Sequence, residues 1–398
     1  MRRAAMPRPA LLPVWLVWLA FTLCGCGPVT AETPATPPVV QIAPALDSTH
    51  ARPDRGLVIR ASGGTLTKVT AYAGGESVPG RLDAERRIWR SDWTLKPATE
   101  YTVAATAKGA RGPATVAMGR FRTRPAEQTL GIAATTPLPG ETVGVGMPVI
   151  LDFDRPVANR AAVERALEVR AGRPAAGAWH WVGDTRVVYR TRRFWAPRQR
   201  VTVTAHLAGV RPSDGVYGAA DTTFEFMVGR RQTSAVDTRT HQMTVERDGR
   251  IAQRMAISAG MATTREYTTT SGIHLTMDKG NPVRMVSPGR QKGDPGFYDL
   301  LIDHAVRISN SGEYVHAKDN VWAQGRQNVS HGCVNARPDQ AAWFYATSLR
   351  GDPVTITGTD RPLAWDNGWG FWQLPWERWI QGSALRAADP AGERVPRR

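Results

Sequence analysis

One hexapeptide, Ser330-His331-Gly332-Cys333-Val334-Asn335, holds the most reactive combination of side chains in this 398-residue sequence. A thiol of ordinary acidity is only a few per cent ionised near neutral pH, so a nucleophilic cysteine needs a base or an electropositive niche. His316, 17 residues upstream at the end of a predicted strand Tyr314–His316, is the candidate base, since a strand end can return in space to the cysteine loop. Gly332 lacks a side chain and lets the amides around Cys333 turn toward one point, as an oxyanion hole for a tetrahedral acyl intermediate requires. This constellation predicts acyl transfer through a cysteine.

The other two cysteines, Cys24 and Cys26, follow an N-terminal pattern of their own. Arg2, Arg3 and Arg8 precede an apolar run from Ala10 to Leu23, the layout of a secretory signal. Leu23-Cys24-Gly25-Cys26 matches a bacterial lipoprotein signal, with cleavage after residue 25 and lipidation of Cys26. A plain transmembrane anchor is the alternative, although the apolar run is short of the roughly 20 residues that span a bilayer. Either way the remaining chain is expected outside the cytoplasm, held at the cell membrane and facing the wall. Cys333 is then the only free thiol, and an unpaired cysteine kept in an oxidising compartment favours a reactive role over an inert one.

The formal charge of +16 becomes +13 once Arg2, Arg3 and Arg8 are removed with the leader. A surface so basic concentrates at polyanions, here anionic wall polymers and lipid headgroups. The basic residues are scattered, without the aromatic-interleaved cluster that nucleic-acid binding uses, so nucleic acid is not an expected partner.

The elements that must position the thiol read as mainly β. Residues 26–40 form a Pro/Thr-rich stalk. Residues 41–126 and 127–229 are two stretches of short alternating segments, among them Thr65–Tyr72, Tyr101–Ala105, Val149–Phe153, Arg186–Tyr189 and Val201–Ala205. Each stretch carries a Pro shortly before a Thr-Val strand (Pro97 and Pro197) and ends in a Phe-containing strand, which predicts two copies of an immunoglobulin-like β-sandwich. Trp89, Trp93, Trp179 and Trp181 are expected in the sandwich cores. Residues 230–358 add a hairpin turning at Asp248-Gly249, strands at Gly272–Asp278, Ala305–Ser309 and Val354–Thr357, and a helix opening at Arg337-Pro338-Asp339. The Trp-rich segment 359–382 is expected to pack on this third domain, and 383–398 to be disordered.

With its upstream Ile308-Ser309-Asn310-Ser311-Gly312-Glu313-Tyr314-Val315-His316 and downstream Trp343-Phe344-Tyr345, the hexapeptide resembles the signature of the L,D-transpeptidases, whose catalytic domain is the YkuD-like β-sandwich. The lipoprotein signal and paired immunoglobulin-like modules resemble actinobacterial and mycobacterial members. The resemblance implies that Cys333 attacks the third residue of a peptidoglycan stem tetrapeptide, releases D-alanine, and passes the acyl group to an amine on a second stem. His316 would be the base, with Ala317 orienting its ring. Gly332 and Cys333 would supply oxyanion amides, with Ser330 and His331 supporting the loop. Tyr298 on a lid, Ser311, Gly312 and Asn335 would contact substrate. No cofactor or metal is implied.

Other chemistries fit less well. His316, His331 and Cys333 supply three zinc ligands, but no fourth completes a standard pattern. Sortases show Thr-Leu-x-Thr-Cys and a downstream arginine, absent here, and NlpC-type peptidases place Cys before His. A non-enzymatic wall-binding lipoprotein remains the alternative from a different class.

Overall fold

The computed structural model describes residues 36–386 and 389–391, so Cys26, the leader and most of the stalk lie outside the described residues. The chain is mainly β, as its alternation predicts. In the first sandwich, one sheet holds Val39–Ala43, Val58–Ser62, Ile88–Ser91 and Gly80–Leu82, and the other holds Glu76–Ser77, Thr65–Ala73, Glu100–Lys108 and Thr115–Arg122. Strict alternation in Glu100–Lys108 sends Tyr101, Val103, Ala105 and Ala107 into the core, where they meet Leu57, Ile59 and Trp89.

A second sandwich, built around Val149–Phe153, Ala175–Val182, Arg186–Thr191, Gln199–Ala205 and Thr222–Val228, buries Trp179, Trp181, Tyr189 and Phe226. Trp93 is not a core residue of either sandwich. It lies half-buried between them, stacked on His206 at 3.6 Å, beside an Arg124–Tyr217–Asp54 chain of hydrogen bonds.

The third domain is a nine-stranded sheet in the spatial order Gly272–Leu275, Pro353–Thr357, Gln232–Asp237, Gln242–Arg247, Arg250–Ser258, Val334–Ala336, Tyr314–Ala317, Ala305–Arg307 and Lys279–Gly280. The expected helix runs from Pro338 to Thr347, with Pro at its first position and Ala341 and Phe344 buried against the sheet. A separate hairpin, Val283–Val286 with Asp299–Ile302, projects over the Cys333 loop.

The C-terminal extension departs from expectation. It touches the third domain, where Gln373 donates to Ile273 O and Asn367 pairs with Ser311. Its tryptophans, however, join a core cluster made mostly of the second sandwich, to which the third domain adds Leu275 and Met277. Trp379 is fully buried, stacks on His180 at 4.5 Å and donates its indole N–H to Ala178 O. Arg190, only 3% exposed, has no carboxylate partner among the described residues. Its guanidinium instead lies over the rings of Trp372, Trp376 and Trp379 and donates to Leu374 O. Burial lowers its pKa to about 10, so it stays charged at neutral pH. A cation held this way draws on its aromatic neighbours, by about 2 kcal/mol where water is excluded.

The tail is ordered further than composition predicts. Ser383 is buried and donates to the Glu164 carboxylate, which also accepts from Ala384 N–H. Residues Asp389–Ala391 pair antiparallel with Ala175–Gly177. Residues 387–388 and 392–398 lie outside the described residues. Replacing Trp379 with Ala removes a fully buried ring and should lower the unfolding free energy of the second sandwich by about 3–5 kcal/mol. Denaturant unfolding followed by tryptophan fluorescence reads this, and an unchanged midpoint would contradict the clamp.

Candidate active site

Cys333 leads directly into the strand Val334–Ala336, which lies parallel to Tyr314–Ala317 with Val315 opposite Val334 and His316 opposite Asn335. Registered residues of parallel neighbours share a face. His316 thus shares a face with Asn335, and Cys333 lies in the bend that enters the same strand two residues before Asn335. Ser330 anchors the loop's near end, its N–H bonded to Ala259 O at 3.0 Å and its C=O to Met261 N–H at 2.9 Å.

His316 is buried, and its Nδ1 lies 2.8 Å from Ala317 O. The proton is therefore assigned to Nδ1, which leaves the lone pair on Nε2 free to act as a base. Burial lowers the ring's pKa from 6.5 to about 4, against the opposing pull of the Ala317 carbonyl. Cys333 is half-buried, with Sγ 3.6 Å from Gly312 O. Burial pushes the thiol up to about 12. The Tyr314 backbone N–H opposes this rise, and the nearby Glu313 carboxylate adds to it. At neutral pH the resting site is a thiol and a neutral imidazole, not an ion pair, so proton transfer must accompany attack.

The oxyanion arrangement differs from expectation. Gly332 N–H donates to Ser330 Oγ at 3.1 Å, and that hydroxyl donates onward to Cys333 O at 2.6 Å. Gly332's amide is thus committed inside the turn, because the loop closes on the serine hydroxyl. The Cys333 N–H, in contrast, has no partner among the described residues. Glycine is required at 332 on other grounds, since its φ is +129°.

His331 is exposed and lies between two tyrosines, edge-on to Tyr267 at 4.4 Å and stacked with Tyr298 at 5.3 Å. Tyr298 stands where the hairpin's strands open into its connecting turn, its N–H bonded to Ser287 Oγ. Burial raises its pKa, and the nearby Cys333 adds to the rise. An Arg290–Glu266 pair at 2.8 Å ties the hairpin's tip to the loop that carries Tyr267. Ser311 and Gly312 are exposed on the turn before Tyr314, whereas Asn335 is buried between His316 and Ser258. His316, His331 and Cys333 do not form a metal-binding group among the described residues.

Sequence reasoning passed over Tyr267, Thr269 and Glu313. Glu313 is 5% exposed and accepts from both the N–H and the hydroxyl of Thr270 at 2.7 Å. The available signal was the polar run Thr268-Thr269-Thr270-Ser271, whose three threonines are buried while Ser271 is half-buried.

Two sandwiches followed by a sheet domain that holds a cysteine loop beside a buried histidine define a class that comparison with known proteins makes specific. Residues 48–211 match a bacterial Ig domain, a single match spanning both sandwiches, and residues 231–356 match the L,D-transpeptidase catalytic domain (YkuD). The chain is 33% identical over 374 residues to L,D-transpeptidase 5 of Mycobacterium tuberculosis (strain ATCC 25618 / H37Rv), covering 92% of this chain and 81% of that one. It is 33% identical over 336 residues to L,D-transpeptidase 2 of Mycobacterium tuberculosis (strain CDC 1551 / Oshkosh), covering 83% and 81%. A solved LD transpeptidase, LdtMt1 in complex with imipenem, is 33% identical and covers 57% of this chain and 99% of its own, with a TM-score of 0.50. The chain belongs to the L,D-transpeptidase family.

A histidine whose pKa falls on folding costs stability in acid. Between pH 6.5 and about 4 the unfolded chain binds a proton that the folded site refuses, so stability declines on acidification through that window, by up to on the order of 3 kcal/mol, and is unaffected above it. In an NMR titration the His316 ring should remain the neutral Nδ1–H tautomer at pH 5; a midpoint near 6.5 would refute the buried-base geometry.

Proposed function

We propose that Cys333 forms a thioester acyl-enzyme with the third residue of a peptidoglycan stem tetrapeptide and passes it to the side-chain amine of a second stem. In the first half-reaction His316 Nε2 takes the Sγ proton as sulfur bonds to the carbonyl carbon. The negative charge goes to the carbonyl oxygen, beside the Cys333 N–H. Collapse breaks the C–N bond, and the imidazolium returns its proton to the departing amine of D-alanine. In the second half-reaction the acceptor amine attacks the thioester and loses a proton to His316, and the sulfur leaves and is reprotonated.

One observation supports this reading: a buried imidazole, whose Nδ1 is held by a backbone carbonyl, sits on the strand paired in parallel with the strand into which the one cysteine among the described residues leads. The depressed histidine pKa keeps that nitrogen available as a base at any pH above about 4. Tyr298 and His331 roof the loop, and Ser311 and Gly312 border it. Lipidation at Cys26 would hold the enzyme at the outer membrane face, and its basic surface would keep it among anionic wall polymers. Because a related LD transpeptidase is described in complex with imipenem, Cys333 is the expected site of carbapenem acylation here.

The purified folded chain, mixed with defined stem tetrapeptides, should yield dimers linked between two third-position residues, with one D-alanine released per link, as read by mass spectrometry. Cys333→Ala should abolish both the dimers and the imipenem adduct. Products linked only fourth-to-third, or an adduct that survives the substitution, would overturn the proposal.

A further inference from the structure

The buried Thr269 hydroxyl sits where three backbones meet. It accepts the Gly260 N–H at 2.8 Å and donates to Gly332 O at 2.8 Å. Thr269 is 0% exposed, so neither bond competes with water. Gly260 leaves no room to rearrange. A Cβ there would lie 2.3 Å from Tyr267 O and 3.1 Å from Gly332 Cα. The hydroxyl is therefore a bridge between the end of a core strand and the cysteine loop.

What the bridge holds is the peptide group joining Gly332 to Cys333. In a trans peptide the C=O and N–H point in opposite directions, so fixing the carbonyl on Thr269 also fixes the direction of the Cys333 N–H. That N–H has no partner among the described residues, whereas Gly332's own is taken by Ser330 Oγ. Gly332, with φ at +129°, would swivel readily without such a tether. We infer that Thr269 is a positioning residue that aims the oxyanion-binding amide of the nucleophile through its hydrogen bond to the Gly332 carbonyl, an inference that rests on the acyl-transfer reading above.

The role separates two reactions of the same sulfur. Acylation by imipenem or a stem peptide builds an oxyanion and needs the aimed amide, whereas alkylation by iodoacetamide displaces iodide and builds none. Thr269→Val keeps the shape and removes the hydroxyl. It should slow imipenem acylation by on the order of 10–100-fold, less than the roughly 10²–10³-fold lost when an oxyanion donor is removed outright, because the amide is misaimed but still present. Its iodoacetamide rate should stay at the wild-type value, which also reports an intact loop. In the stem-peptide assay kcat should fall while KM is held. Thr269→Ser retains the hydroxyl and should acylate like the wild type.

Equal slowing of acylation and alkylation, an unslowed Thr269→Val, or a Thr269→Ser as slow as the valine variant would each overturn the inference. A wild-type chain that imipenem does not acylate at Cys333 would instead remove the reading beneath it.

Discussion

Two short strands, Tyr314–Ala317 and Val334–Ala336, lie parallel inside the nine-stranded sheet, and the chain must travel through residues 318–333 to bring the second beside the first. Parallel neighbours cannot be joined by a tight hairpin, so the long return is obligatory. Its last turn is where the chain can place a nucleophile against a residue already set in the sheet. The register sets His316 opposite Asn335, and Cys333 is the residue through which the loop enters that second strand. A slip of one residue would turn the His316 ring to the other side of the sheet relative to that strand. The approach of the cysteine loop to the histidine strand is thus a consequence of strand pairing, and the polar residues around the loop fix its course.

Much of this was legible in the residues. The run Val149–Phe153 was located to the residue, and the other strands named in advance to within a few positions, because apolar residues recur there between Gly, Pro and Asp breaks. Pro338 marked the helix start because proline suits a first turn. The role of Ala317 was expected only from family resemblance, since a backbone carbonyl carries no side-chain signature.

Three features were not legible, each for a physical reason. The commitment of the Gly332 amide depends on which way a serine hydroxyl points, which composition does not encode. Thr269 acts across a sequence separation of 63 residues, and a lone threonine is usually a surface residue or part of a strand. The destination of the tryptophans at 365–379 depends on where an arginine and a histidine of the second sandwich lie in space. Arg190 and His180 gave no hint in sequence that they would become the floor of an aromatic cage.

The strand Asp389–Ala391 has a further effect on the second sandwich. Ala175–Val182 would otherwise finish its sheet with a row of unsatisfied amides and carbonyls, the kind of border on which other extended chains can register. By laying its own backbone along Ala175–Gly177, the protein occupies part of that border itself. A foreign extended chain arriving at that stretch finds its hydrogen-bonding groups already taken.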